Sequence, residues 1–171
     1  LEEGSKMGMI LTGTPSFRGR RIEAGLLSAG QDFTNNTNPF TVGLGRFVDL
    51  NKDDFIGKKV LVNSDKKCRS WGLRVVDGVA KKGRTLKINN ELIGSVTSST
   101  WSPYQVCGVG IVLLDSYEIG PESVVDVECT DGKIHKAEIC TLPMYDPKGE
   151  IVRGLNTKIP TKPEPWRGIK N

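Results

Sequence analysis

From about residue 67 onward, apolar and polar positions alternate with period two, the pattern of strands buried on one face. Trp71, Leu73 and Val75 alternate with Gly72 and Arg74, and Trp71 is assigned to the core. Further strands are predicted over residues 92–98, 107–114, 123–129 and 134–141. The turn pairs Asp77-Gly78, Asn89-Asn90, Ser102-Pro103, Gly120-Pro121 and Asp131-Gly132 punctuate these runs. Asp131-Gly132, flanked by two alternating segments, is the sharpest hairpin signal. Short strands at regular spacing predict a C-terminal antiparallel Greek-key-type β-barrel.

Upstream the pattern is mixed. Residues 1–9 read as the back end of a helix, and the chain opens on Leu1, so it reads as the C-terminal part of something longer. Thr14-Pro15 predicts a helix start, with Thr14 as N-cap and Pro15 at the first helical position. That helix carries Phe17, Arg18, Arg20, Arg21 and Glu23, and Gly25 or Gly30 ends it. A polar loop follows over residues 31–38, then a predicted strand over 41–50, where Gly43 and Gly45 let backbone pack closely. Asp53 is placed as the N-cap of a short helix over 55–61. The expected fold class is mainly β with a small α+β N-terminal part. The expected segments are 1–62, 63–146 and 147–171, the last an extended Pro/Lys-rich tail. Ile159-Pro160, Lys162-Pro163 and Glu164-Pro165 forbid helix there. Trp166 either pins the tail along the surface or belongs to a lid or partner-binding strap.

Composition narrows the function classes. Of 171 residues, 37% are apolar and 26% charged, a globular balance. The longest apolar run, about residues 109–114, is far short of the ~18 residues a membrane span needs, so no membrane is expected. The net charge of +4 is small and scattered, and aromatic residues do not interleave with the basic ones, so no nucleic acid is expected as a partner. The cysteines Cys68, Cys107, Cys129 and Cys140 form no CxxC pair, and His135 is the single histidine. No metal site is expected, and reduced thiols in strand-like runs point to the cytoplasm. His135, next to a turn, is expected to be solvated. There is no phosphate-cradling GxxxxGK[ST]. Gly43-Leu44-Gly45 and Gly108-Val109-Gly110 lack the third glycine of a dinucleotide loop.

Four stretches stand out in order. They are residues 21–27 (Arg-Ile-Glu-Ala-Gly-Leu-Leu); Thr37-Asn38-Pro39-Phe40 with Val42-Gly43-Leu44-Gly45; residues 54–61 (Asp-Phe-Ile-Gly-Lys-Lys-Val-Leu); and residues 93–99 with Ser102-Pro103. Together with the closing Leu142-Pro143-Met144-Tyr145, they resemble the C-terminal half of the glycine cleavage T protein family, tetrahydrofolate-dependent aminomethyltransferases. The resemblance covers about residues 1–145. It implies a three-domain parent enzyme with folate in a central channel. Residues 1–62 would end its folate-binding α+β domain, and residues 63–146 would be its barrel. The family's reacting-centre Asp belongs to a portion outside this chain, so the catalytic residues are expected there and the chain alone is expected to be incomplete and inactive. The implied chemistry moves a one-carbon unit from a small-molecule donor to tetrahydrofolate, with a carrier protein as a candidate partner.

The candidate cofactor-binding residues are Arg21, Glu23, Trp101 and Tyr145. The chemistry of those residue types agrees. A carboxylate such as Glu23 can accept two pterin N–H bonds. Arg18, Arg20 or Arg21 can pair with the anionic glutamate tail. For Glu23 and Arg21 the alternative is a structural salt bridge near the helix end. Trp101 and Tyr104 either line the channel mouth or pack on the barrel rim. One departure matters. The family's usual Ala-Arg-Asp triplet is matched here by Ser16, Phe17 and Arg18. The Gly-Thr-Pro-Ser lead-in and the basic tail are similar to the dimethylsulfoniopropionate demethylase branch, which makes an S-demethylase one alternative. A non-catalytic folate- or partner-binding barrel module is another.

Overall fold

The structure is a computed structural model and describes residues 1–158 and 160–169. Ile159 of the tail's Ile159-Pro160 pair lies outside the described residues. Six strands close into an antiparallel barrel: β1 (Ser70–Val75), β2 (Thr85–Ile88), β3 (Glu91–Ser102), β4 (Cys107–Leu114), β5 (Val124–Glu128) and β6 (Ile134–Cys140). Their order around the wall is β1-β4-β3-β2-β5-β6. Strands β2, β3 and β4 form a meander, and β1 lies beside β4 rather than β2, the Greek-key placement expected. Pairing of β1 with β6, with Leu73 opposite Ile139, closes the wall.

The interior holds Leu73, Val75, Leu86, Val96, Val112, Leu114, Val125, Val127 and Ile139 as one buried cluster. Strand β4 is buried on both faces. Val112 and Leu114 point into that cluster, while Cys107, Val109 and Ile111 join a second one with Ile22. This double burial is why residues 107–114 read as a continuous apolar run rather than an alternation. Trp71 is half-buried against the first cluster rather than inside it.

Strand β2 escaped the sequence pattern. It has four residues, and only Leu86 among them is buried, so period two has no length over which to show. Asn89 and Asn90 follow it with φ of 50° and 67°, the left-handed pair that a tight two-residue hairpin requires. Strand β3 runs to Ser102, past the expected end at residue 98, because β4 supplies partners as far as Ser102 opposite Cys107.

Three helices precede the barrel: α1 (Glu2–Lys6), α2 (Thr14–Glu23) and α3 (Lys58–Asn63). The N-cap of α2 is Gly13, not Thr14, and Pro15 lies in its first turn. Its end follows expectation. Gly25 has φ of +67°, and the Leu26 N–H donates to Arg21 O while Gly25 N–H donates to Ile22 O. This is the paired closure that glycine makes cheap at a helix C-terminus. Two expectations fail. Helix α3 is entered from Gly57 at φ +91°, so Asp53 caps nothing. Residues 41–50 form turns and a short 3-10 helix (Gly45–Phe47) instead of a strand. Gly43 turns at φ +75°, and the closed barrel leaves no free edge for another strand to join.

His135 is also not solvated as expected. Its Nδ1 lies 3.1 Å from Val76 O and its Nε2 2.9 Å from Asp131 Oδ2, clamping the β5–β6 hairpin to the turn after β1. Cys107, Cys129 and Cys140 are buried free thiols. Burial pushes them up to about 11, 11 and 12 respectively. No helix among the described residues is long and apolar enough to cross a membrane.

Candidate functional site

Helix α2 lies against strands β3 and β4. Its last turn distributes three side chains. Ile22 is fully buried in the second cluster and anchors the helix to the barrel wall. Arg21 and Glu23 stand two positions apart, which on a helix points them about 200° away from each other. Ser98 and Ser102 stand four positions apart on β3, on one face and roughly 13 Å apart. Each helix side chain meets its own serine, so Arg21 and Glu23 do not pair.

On one side Arg21 enters a buried polar cluster. Its guanidinium donates to Asp32 Oδ2 at 2.9 Å, to Ser98 Oγ at 2.7 Å and to Leu26 O at 3.0 Å. Asp32 is 1% exposed and collects further bonds from Ser28 N–H, Ser98 Oγ and Thr97 Oγ1. A carboxylate taken this far from water needs such saturation. Nothing in the sequence singled out Asp32. It belongs to the polar loop, and only its proximity to β3 makes it a partner.

On the other side Glu23 is 3% exposed, and its Oε1 accepts a short hydrogen bond from Ser102 Oγ. That hydroxyl in turn accepts the Gln105 N–H at 2.9 Å. No protein donor reaches Glu23 Oε2 among the described residues. Glu23 forms part of the wall of a cleft of about 420 Å³, together with Gly19 and Arg20 of the helix and Thr100, Trp101 and Tyr104 of the barrel rim. That size is in the range of small-molecule sites. The Glu23 carbonyl oxygen also accepts from Met144 N–H at 2.8 Å and Tyr145 N–H at 3.0 Å, tying the chain after β6 to the helix end.

The four residues singled out from sequence separate. Glu23 and Trp101 line the cleft, with Trp101 44% exposed. Tyr145 is not one of the cleft-lining residues, and its ring makes a T-shaped contact with Tyr104, centroids 5.1 Å apart. Arg21 faces away, engaged with Asp32 and Ser98. Of the other arginines considered, Arg20 lines the cleft and Arg18 does not. Phe17 is exposed on the helix surface. Tyr104 donates to Glu164 Oε2 at 2.6 Å, and this bond, with some burial and the nearby negative charge, pushes its phenol up to about 12. It therefore remains a donor at neutral pH. Sequence reading placed Ser98 and Ser102 in a family-like stretch but not at the site, and it missed Gln105. Ser98 and Ser102 fall at even spacing on a strand face opposite a helix, and that was the available signal.

The arrangement can hold a flat polar ring system. A buried carboxylate offers one acceptor oxygen with no protein donor among the described residues, two aromatic side chains line the same cleft, and Arg20 supplies a cation there. Among the described residues no three His, Cys, Asp or Glu side chains cluster as metal ligands.

Comparison with known proteins adds an independent line. Residues 69–146 match the family model described as the glycine cleavage T-protein C-terminal barrel domain, and residues 1–52 match the GCVT N-terminal domain. An aminomethyltransferase from Anoxybacillus flavithermus is 33% identical over 150 residues, covering 85% of this chain and 41% of that protein. One from Prochlorococcus marinus is 37% identical over 132 residues, covering 73% and 35%. One from Thermotoga maritima is 36% identical over 137 residues, covering 78% and 36%. The crystal structure of glycine cleavage system aminomethyltransferase T from Bartonella henselae superimposes with a TM-score of 0.66 at 26% identity, over 76% of this chain and 38% of that one. The chain thus spans about two fifths of the length of the relatives it matches.

Proposed function

Since this chain belongs to the glycine cleavage T-protein family, we propose that it forms one wall of a tetrahydrofolate site in an aminomethyl- or methyltransferase. The observation that carries the reading is the half-engaged carboxylate of Glu23, a residue of the cleft wall, with Oε1 fixed by Ser102 and Oε2 without a protein donor among the described residues. A pterin edge presents N–H donors, and a fixed anionic acceptor orients them by charge-assisted hydrogen bonds. Trp101 and Tyr104 offer aromatic faces to the ring and keep water off it. Arg20 is suited to a carboxylate of the glutamate tail. The residues present therefore fit the cofactor.

Tetrahydrofolate, when bound, supplies the nitrogen that takes the one-carbon unit. The chain's own residues bind and orient. Glu23 fixes the ring, Ser102 fixes Glu23, and the helix–barrel seam holds both rigidly, which is the main protein contribution in cofactor chemistry of this kind. The reacting-centre carboxylate is assigned to the part of the protein outside this chain. The small-molecule donor and any carrier protein would be met there too.

Phe17, exposed where the family has its arginine, supports a second reading in which the donor is a sulfonium such as dimethylsulfoniopropionate. Donor assays on the complete protein separate the two readings.

The test of the site is Glu23→Ala in the complete protein, with tetrahydrofolate affinity read by tryptophan fluorescence. Losing a charge-assisted bond is expected to raise Kd about tenfold or more with the far-UV spectrum unchanged. An unchanged Kd removes Glu23, and with it this function, from the cleft.

A further inference from the structure

We propose that residues 164–166 of the tail form a positioning strap, which holds Tyr104 in the cleft wall and so sets how tightly the site grips its ligand. The inference rests on the folate reading for the ligand's identity. It concerns a segment outside both matched ranges, which end at residues 52 and 146.

The tail is stitched to one short turn. Glu164 N–H donates to Tyr104 O and Trp166 N–H donates to Gln105 O, both at 2.8 Å. Between them Pro165 has no N–H to leave unpaired. The Trp166 ring packs against the cluster of Ile22, Cys107, Val109 and Ile111, which also anchors helix α2. The strap therefore has an apolar foot in the seam that places Glu23. Its carboxylate then engages the cleft-lining Tyr104, whose hydroxyl donates to Glu164 Oε2 at 2.6 Å. Tyr145 braces the same ring in a T-shaped contact, at an interplanar angle of 81°.

Three constraints thus act on Tyr104, on its carbonyl, its hydroxyl and its ring. Two of them come from the strap. An aromatic wall residue on a barrel rim otherwise samples several rotamers, and a ligand must order it on binding. Pre-ordering removes that cost. The turn also carries the fix to the carboxylate. Gln105, the strap's second acceptor, gives its own N–H to Ser102 Oγ, which donates to Glu23. An exposed Tyr–Glu bond contributes little to stability by itself, so its consequence should show in binding rather than folding.

The experiment uses the complete protein with Glu164→Ala, Tyr104→Phe, the double variant and Glu164→Gln. Tetrahydrofolate is titrated by fluorescence, and phenol ionisation is followed by absorbance. Glu164→Ala and Tyr104→Phe should each weaken binding about five- to tenfold, and the double variant no more than either alone, because both remove one interaction. Glu164→Gln keeps an acceptor and should recover most of the affinity. In Glu164→Ala the phenol should titrate closer to its ordinary 10.0 than to about 12. A phenol that moves while Kd stays within about twofold overturns the strap and leaves the folate site standing. A wild-type protein that does not bind tetrahydrofolate overturns both.

Discussion

Ser102 Oγ donates to Glu23 Oε1 and accepts the Gln105 N–H at 2.9 Å, so one hydroxyl on strand β3 fixes a carboxylate on helix α2. A hydroxyl has one proton to give, and here it goes to the anion while the lone pair takes the backbone donor. The bond also fixes which Glu23 oxygen is engaged by the protein, Oε1, and leaves Oε2 without a protein donor among the described residues.

Ser102→Ala should therefore separate orientation from presence. Glu23 would remain, but its carboxylate would lose its fixed donor and Gln105 N–H its acceptor. A destabilisation of about 1–3 kcal/mol is expected, because buried polar groups are left unpaired. Tetrahydrofolate affinity should fall by less than in Glu23→Ala. Urea unfolding and a fluorescence titration check the two parts. A loss of binding equal to that of Glu23→Ala would mean that Ser102 itself touches the ligand.

The Arg21–Asp32 pair at 2.9 Å is buried on both sides. Asp32→Ala should cost about 3–5 kcal/mol, since it strands the guanidinium without its counter-charge. Arg21→Lys should also be poorly tolerated. One ammonium cannot reproduce the planar fork that reaches Asp32, Ser98 and Leu26 O together. Equilibrium denaturation reads both, and a Lys variant as stable as wild type would show that the fork geometry is not needed.

Ile22 fills the seam between α2 and the outer face of β4 and is fully buried. Ile22→Ala should destabilise by about 2–5 kcal/mol through lost transfer energy and the cavity left behind. For a domain of this size each kcal/mol moves Tm by roughly 2–4 °C. A thermal scan that moves less than that sets a limit on how firmly the helix is seated.

The thiols of Cys107, Cys129 and Cys140 are raised by burial to about 11, 11 and 12. The folded state favours their protonated form. The stabilisation is complete below the ordinary thiol value of 9.0 and is lost as pH rises through about 11 to 12. Stability should fall on the alkaline side over that window. In native protein at pH 8, a thiol reagent should find Cys68 first, because it alone of the four is not fully buried. Unfolded protein should show all four. Rapid labelling of more than one thiol in the native state would contradict the burial described here.

The barrel was largely legible from the chain. Leu73, Val75, Val125 and Val127 alternate with outward residues, and the Asp131-Gly132 and Asn89-Asn90 pairs mark hairpins by local backbone chemistry alone. The stop of α2 at Gly25 was legible for the same reason, since a left-handed glycine is a local requirement. Residues 41–50 misled. Their apolar content suits a strand, yet whether a strand forms depends on a free edge, and a closed barrel has none. Glu23 was legible as a candidate, as was Trp101.

Periodicities and turns are written in the chain itself, because they depend on neighbours within a few positions. That Arg21 turns to Asp32 while Glu23 turns to Ser102 follows from how the helix packs on the barrel. Tyr104 is likewise held by Glu164, 60 residues further along the chain. A hydrogen bond between side chains so far apart in sequence is set by how helix, barrel and tail pack together, and no local pattern encodes that distance.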